Sequence, residues 1–282
     1  VCQCDPPDDN PDADEPVCED PPDSDDGAAA CPMGNLSAHV AEPDGTNINH
    51  QCGATHPQFL SRVADGRLGL AFDGDADRLV AVDEEGIPAN GDVIMAVLAA
   101  HAKSTGKLTN DLVVSTVMAN LGFRLAMERL GIRLVETPVG DRYVLEAMLE
   151  HDAVLGGEQS GHVVLEDRTT GDGLATALRL VEVILATGRP LAELRKVITE
   201  YPQVLRNVRV SSRDGFSEAA ALWDAVSEVE AELGDQGRVL VRPSGTEPLI
   251  RVMVEAATSH EAASYADRLA AVVRIEMGEG TP

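Results

Sequence analysis

The chain has 282 residues, room for two or three domains of ordinary size. Its 48 acidic and 22 basic residues give a net charge of −26, which repels a phosphate backbone and excludes a general nucleic-acid partner. No apolar run approaches the roughly 18 residues of a membrane span, and no basic-then-apolar leader is present, so the sequence reads as soluble and cytoplasmic with no membrane partner.

A small phosphorylated ligand is compatible with this charge, because a few Arg residues and a metal can reverse the field within one cleft. Aromatic residues make up only 3%, so the core must be aliphatic. The charge is uneven. Residues 1–61 contain no Lys or Arg and hold 13 acids, half of the net excess. Residues 1–35 carry seven Pro, nine Asp and four Cys, with no Ile, Leu, Phe, Tyr or Trp. Such a segment buries too little apolar surface to offset its chain entropy and reads as disordered. Its cysteines, Cys2, Cys4, Cys18 and Cys31, lack the paired spacing and the His of a zinc site. The same composition also suits a GC-rich gene read out of frame.

From about residue 36 apolar runs alternate with helical periods. Strands are expected at Leu68–Phe72 and Leu79–Asp83, with a turn at Glu84-Glu85-Gly86. A helix follows at Gly91–Ala102 and a buried strand at Asp111–Val117. The next helix, Asn120–Leu130, turns Leu121, Leu125 and Met127 inward and stops at Gly131. Then come a strand at Ile132–Glu136, a helix at Asp141–Leu149 and short strands at Ala153–Leu155 and His162–Leu165. Helices at Asp172–Thr187 and 190–200 follow. Strands alternating with helices imply an α/β fold with parallel sheets. Beyond a hinge at Tyr201-Pro202 the order changes: strand Val204–Val210, helix Phe216–Leu233, strands Arg238–Arg242 and Leu249–Ala256, and helix Ser259–Met277. That order suggests a small C-terminal α+β domain.

Three loops carry chemistry. The first, Asp73-Gly74-Asp75-Ala76-Asp77-Arg78, places three carboxylates at a spacing of two between strands. Carboxylates held together are costly unless a cation neutralises them, and oxygen ligands on a compact loop favour Mg²⁺. A calcium EF-hand would match Glu84 at its twelfth position but needs Gly where Arg78 stands, and helices where strands stand. The bland alternative is a solvated acidic turn. The second loop, Gly156-Gly157-Glu158-Gln159-Ser160-Gly161-His162, offers Glu158 and Ser160 to vicinal hydroxyls. His162 is either a general acid or base or a satisfied core histidine. The third, Arg242-Pro243-Ser244-Gly245-Thr246-Glu247-Pro248, with Arg251 beyond it, gathers donors as a phosphate dianion requires. Its alternative is a turn with surface Arg residues.

These loops, in this order, resemble the α-D-phosphohexomutase superfamily over about residues 36–277. Val117-Met118-Ala119-Asn120-Leu121-Gly122, Val139-Gly140-Asp141-Arg142-Tyr143-Val144 and Thr170-Gly171-Asp172-Gly173 resemble its bacterial phosphoglucosamine mutase branch. So does the stretch from Pro43-Asp44-Gly45 through Cys52-Gly53 and Thr55-His56.

The resemblance implies α/β/α domains and a C-terminal phosphate-binding α+β domain. Residues 36–88 would be a partial second domain with the metal loop, 89–200 a third domain with the sugar loop, and 201–282 the last. It implies interconversion of glucosamine 6-phosphate and glucosamine 1-phosphate through an enzyme phosphoserine and a bisphosphate, with mannose or glucose phosphate as alternative substrates. Asp73, Asp75 and Asp77 would hold Mg²⁺. Arg78 would lie beside the reacting phosphoryl group, and His162 would be an acid/base residue. Glu158 and Ser160 would contact the sugar, and Arg242, Ser244, Gly245, Thr246 and Arg251 the other phosphate. A homodimer is a further family expectation. The family's phosphoserine sits in a Ser-His-Asn-Pro type loop, which this sequence lacks, so the nucleophile is assigned to no residue. Two classes of function stay open: a mutase represented by a truncated chain, and a non-catalytic Mg²⁺ and phosphosugar binder.

Overall fold

The structure, a computed structural model, describes residues 53–57, 60, 66–166, 169–245 and 247–278. The Asp/Pro-rich segment with its four cysteines, the stretch 36–52 and Thr246 lie outside the described residues.

Strands β1 (Gly69–Phe72), β2 (Leu79–Val82) and β3 (Pro88–Ala89) form an antiparallel sheet, so the acidic loop at 73–78 closes a hairpin rather than linking parallel strands. The turn between β2 and β3 is set by Asp83, whose Oδ1 accepts from Glu85 N at 3.0 Å and Ile87 N at 2.9 Å. Such a side-chain bond to the backbone two residues on is what Asp supplies in a tight turn.

Helix α1 (Gly91–Ser104) follows, capped by Asn90, whose side chain accepts from Val93 N. Its residues Gly91–Ala99 are all buried, as expected of a helix with apolar residues on every side. A second sheet has the order β5-β4-β6-β7, built from β4 (Leu112–Thr116), β5 (Arg133–Thr137), β6 (Leu155–Gly157) and β7 (Val163–Leu165). Strand β4 is buried throughout and runs parallel to β5 and β6; β7 turns back antiparallel to β6. Helices α2 (Leu121–Leu130), α3 (Asp141–His151) and α4 (Gly173–Thr187) complete this unit.

Three expectations need correction here. Helix α2 buries Gly122, Phe123, Ala126 and Met127, whereas Leu125 is exposed and Leu121 only partly covered. The inward face is one residue off the anticipated stripe because Phe123, the largest fully buried side chain, takes the core position. Gly131, with φ 65°, ends the helix as anticipated. The helix expected over 190–200 is a single turn, α5 (Leu191–Leu194), then a 3-10 turn at Arg195–Val197. The Arg195 side chain reaches Asp83 at 2.8 Å and Glu200 at 2.9 Å, and the extended backbone of Ile198 ends the run. Finally, Gly156 and Gly157 belong to β6 rather than to the loop after it.

One core runs from Leu79 to Ile198 and joins the β1–β3 hairpin sheet to the α/β unit. The C-terminal unit has strands β8 (Gln203–Arg209), β9 (Arg238–Pro243) and β10 (Leu249–Glu255) in the antiparallel order β8-β10-β9. Helices α6 (Ala220–Leu233) and α7 (Ser259–Met277) cover one face, and its core runs from Val208 to Met277.

At the N-terminus of α1, Asp92 is fully buried; Oδ2 accepts from Asn120 N at 2.8 Å and Oδ1 has no partner. Burial pushes this carboxyl up to about 7, with the charges of Glu255 and Glu200 adding to the effect and Asn120 N–H and Arg238 opposing it. The folded chain thus holds this proton to higher pH than the unfolded chain does. The resulting stability is complete below pH 3.8, the ordinary value, and is lost as the pH rises through about 7. Asp92→Asn should flatten this decline and, at pH 8, exceed the native chain in stability by on the order of 1–3 kcal/mol. Denaturant melts at stepped pH measure both slopes, and identical slopes would contradict the assignment.

Candidate active site

The hairpin loop holds Asp73, Asp75 and Asp77 so that one oxygen from each lies within 4.8 Å of the others. Ala76, at φ 58°, makes the bend that turns the alternate carboxylates together. Arg78 N–H donates to Asp73 Oδ1 at 3.2 Å, and Arg78 Nε lies 3.6 Å from Asp73 Oδ2 and 4.0 Å from Asp77 Oδ1. Arg78 therefore stands beside Asp73 and Asp77 and offsets one charge of the three. Burial pushes the Asp77 carboxyl up; the hydrogen bond and charge of Asp73 and the charge of Asp75 add to this, against His162. Asp77 Oδ1 is buried without a hydrogen-bond partner. An oxygen-only donor set with an orphaned buried oxygen suits a hard divalent cation.

The sugar loop is bonded directly to this hairpin. Leu79 N–H donates to Gly161 O at 3.1 Å, and Arg78 and His162 form an antiparallel bridge. Gly161 has φ 95°, and a Cβ there would stand 2.2 Å from Leu79 O. Gly161 makes the turn, whereas Gly156 and Gly157 serve close packing. A Cβ on Gly156 would meet Met148 Sδ at 2.6 Å, and one on Gly157 would meet His162 O at 2.6 Å. Glu158 is oriented from two sides: its Oε1 accepts from Gly140 N–H at 3.1 Å and its Oε2 from Ser160 Oγ at 3.4 Å. Ser160 itself is exposed.

His162 is 4% exposed. Its Nε2 accepts from Gly171 N–H at 3.2 Å and lies 3.4 Å from Asp77 Oδ2, while Nδ1 has no partner. The ring thus wedges the metal loop against the 170–173 turn. That turn, one of the stretches that carry the resemblance, thereby also borders the acidic loop. Gly173 N–H donates to Ala76 O at 2.9 Å, and Cβ atoms on Gly171 and Gly173 would strike the His162 ring and Arg78 O, each at 2.5 Å. The two glycines flank Asp172, which caps α4 by accepting from Ala175 N–H at 2.8 Å.

The third loop lies on the C-terminal unit. Arg242 and Arg251 are direct partners across β9 and β10. Like charges placed opposite each other destabilise a strand pair unless an anion joins them. Burial, then the charge of Arg251, holds the Arg242 guanidinium below its ordinary value. Arg251 Nε is buried without a hydrogen-bond partner, and Arg251 Nη2 lies 3.6 Å from Glu247. Ser244 is 2% exposed and its Oγ accepts from Glu247 N–H at 3.4 Å; Gly245 is exposed and open around its α-carbon. Arg213, unsuspected from the sequence, donates to the carbonyls of Ser244 and Gly245 and braces the turn. It sits in a turn far away in sequence, and nothing in its neighbourhood marks it. Among the described residues no hydrogen bond or ion pair joins Arg242, Ser244 or Arg251 to the metal or sugar loop. The structure thus unites two of the three loops directly and carries the third on a separate unit.

Residues 90–201 match the family model of phosphoglucomutase/phosphomannomutase α/β/α domain III, and residues 205–272 match that of its C-terminal domain. The chain belongs to the phosphohexomutase family. It is 51% identical over 242 residues to the phosphoglucosamine mutase of Oceanobacillus iheyensis, covering 84% of this chain and 54% of that protein. To the phosphoglucosamine mutase of Salinispora tropica it is 54% identical over 238 residues, covering 83% and 53%. The chain therefore spans about half the length of the curated relatives it matches. A crystal structure of Aspergillus fumigatus N-acetylphosphoglucosamine mutase, in complex with GlcNAc-6P and magnesium, superposes with a TM-score of 0.67 at 23% identity, covering 81% of this chain and 53% of that one. That likeness supports the α/β fold read from the sequence.

Gly161→Ala should destabilise the junction of the two loops by on the order of 1–3 kcal/mol, because the backbone is left-handed there and the added methyl meets a carbonyl. Gly245→Ala, in open space, should stay within about 0.5 kcal/mol of the native chain. Thermal melts of both variants measure the contrast, and equal effects would mean that the loops are not packed as described.

Proposed function

We propose that this chain carries the metal, sugar and phosphate sites of a phosphoglucosamine mutase, acting on glucosamine 6-phosphate and glucosamine 1-phosphate. The observation that carries the reading is the hydrogen-bonded union of the Asp73–Asp77 loop with the Glu158–His162 loop. Relatives at 51% and 54% identity bear that name.

In this reading Asp73, Asp75 and Asp77 hold Mg²⁺, which when bound supplies charge neutralisation for a phosphoryl group. Arg78, tethered to Asp73, adds a guanidinium beside that group. Glu158, oriented by Gly140 N–H and Ser160, accepts from sugar hydroxyls, and the exposed Ser160 donates to them. His162, with Nε2 3.4 Å from Asp77 Oδ2 and Nδ1 without a partner, is the acid/base residue of this reading. Arg242, Ser244, Gly245, Thr246 and Arg251 bind the phosphate that is not being transferred, the two cross-strand guanidinia meeting its two charges.

Turnover of glucosamine 6-phosphate to glucosamine 1-phosphate in a coupled assay would establish the mutase reading directly.

Asp75→Asn should weaken Mg²⁺ binding at least tenfold, about 1.4 kcal/mol, by isothermal titration. Equal affinities would remove this loop from the metal site. Glucosamine 6-phosphate should shift the backbone amides of residues 242–251 with or without Mg²⁺. If these amides stay still while others move, the phosphate site lies elsewhere.

A further inference from the structure

The core that runs from Leu79 to Ile198 and the core that runs from Val208 to Met277 have no member in common. The seam between the units is instead occupied by buried polar and charged groups. Glu255, the last residue of β10, is 0% exposed and faces its register partner Arg238, the first residue of β9, with Nε to Oε2 at 2.9 Å. Both then reach across to the turn between β4 and α2. Arg238 Nη1 donates to Val117 O at 2.9 Å and Nη2 to Ala119 O at 2.7 Å. Glu255 Oε2 also accepts from Leu121 N–H at 2.9 Å, and Oε1 accepts from Asn120 Nδ2 at 3.2 Å.

Asn120 is the hub. Its Oδ1 accepts from Gly122 N–H and from Tyr201 N–H, each at 2.9 Å, and its Nδ2 also donates to Tyr201 O at 2.9 Å. Its backbone N–H is the donor that binds Asp92. One side chain therefore ties the metal-and-sugar unit, the linker at Tyr201 and the first turn of α2 to the C-terminal sheet. Its amide satisfies four partners, which no other residue type of that size can do.

Arg238 and Glu255 sit at one end of the β9–β10 pair, and Pro243 and Ile250 are register partners at the other, where the phosphate turn begins. Five strand steps of about 3.4 Å put these ends about 17 Å apart. The seam is therefore the fixed end of a lever whose free end carries the phosphate loop. Apolar contacts would permit sliding; directional bonds to buried charges fix an orientation, at a desolvation cost that an apolar seam would avoid.

We infer that the Asn120–Glu255–Arg238 cluster is the pivot that sets where the phosphate loop stands relative to the metal and sugar loops. Asn120 is a positioning residue, acting through the hairpin rather than by touching a ligand. The inference stands apart from the identity of the substrate.

Residual dipolar couplings of backbone amides in a weakly aligned sample test it. In the native chain, amides of 79–198 and of 203–277 should fit one alignment tensor of one magnitude. In Asn120→Ala the two sets should each still fit internally, while their tensors separate and the C-terminal magnitude falls at least twofold. Glu255→Gln, which keeps the shape and removes the charge, should show the same separation in smaller degree, and it decides the matter should Asn120→Ala fail to fold. A loss of packing alone would degrade the fit within a unit, not the agreement between units. A single shared tensor in a folded variant, or two tensors already in the native chain, would overturn the inference.

Discussion

Three carboxylates whose oxygens lie within 4.8 Å of one another repel, and a loop left to itself would splay them apart. Much of the neighbouring backbone is arranged to prevent that. Gly161 and Gly173 bring two separate turns close enough to bond the hairpin on both sides, through Leu79 N–H and Ala76 O. The buried His162 ring stands 3.4 Å from Asp77 and accepts from Gly171 N–H, so it fills the space between the hairpin and the 170–173 turn. Arg78 is the single cation in the hairpin loop itself. The unrelieved remainder of charge, together with the orphaned Asp77 oxygen, makes this the place where a divalent cation gains most.

The same economy governs the larger architecture. A chain with net charge −26 gains local positive potential only by concentrating a few Arg residues. Arg242 and Arg251 do so across one strand pair, with Arg213 bracing the turn beneath them. Arg238 spends its charge differently, on two carbonyls and a carboxylate in the seam. The metal and sugar loops are thus fixed to each other by backbone bonds, whereas the phosphate loop is fixed to them only through its unit's orientation.

The alternation of strands and helices was legible because apolar runs and glycine stops are local signals, as at β4 and at Gly131. The stripe of α2 was misread because Leu and Phe carry similar weight in periodicity, and only tertiary packing selects Phe123. The helix over 190–200 was drawn too long because nothing local marks the change to a 3-10 turn at Arg195–Val197 or the pairing of Arg195 with Asp83, 112 positions away. In the site, the acidic spacing announced its chemistry, since three carboxylates within five residues between two strands crowd one short turn. The roles of Gly156 and Gly157 did not show, because a glycine that permits a turn and one that admits a neighbour look identical in sequence. Nor did the seam: Asn120, Arg238 and Glu255 are far apart in the chain, and each alone resembles an ordinary polar residue.

A divalent cation bound by Asp73, Asp75 and Asp77 would be felt at once by the hairpin, the 158–162 loop and the 170–173 turn, which are bonded to one another. Titrating the chain with paramagnetic Mn²⁺ and reading amide line broadening tests it most directly. Substoichiometric Mn²⁺ should broaden the amides of residues 73–78, 158–162 and 171–173 first and together, and excess Mg²⁺ should restore them. Broadening that begins among the acids of residues 1–35, or that spreads over the surface without a centre, would contradict the account.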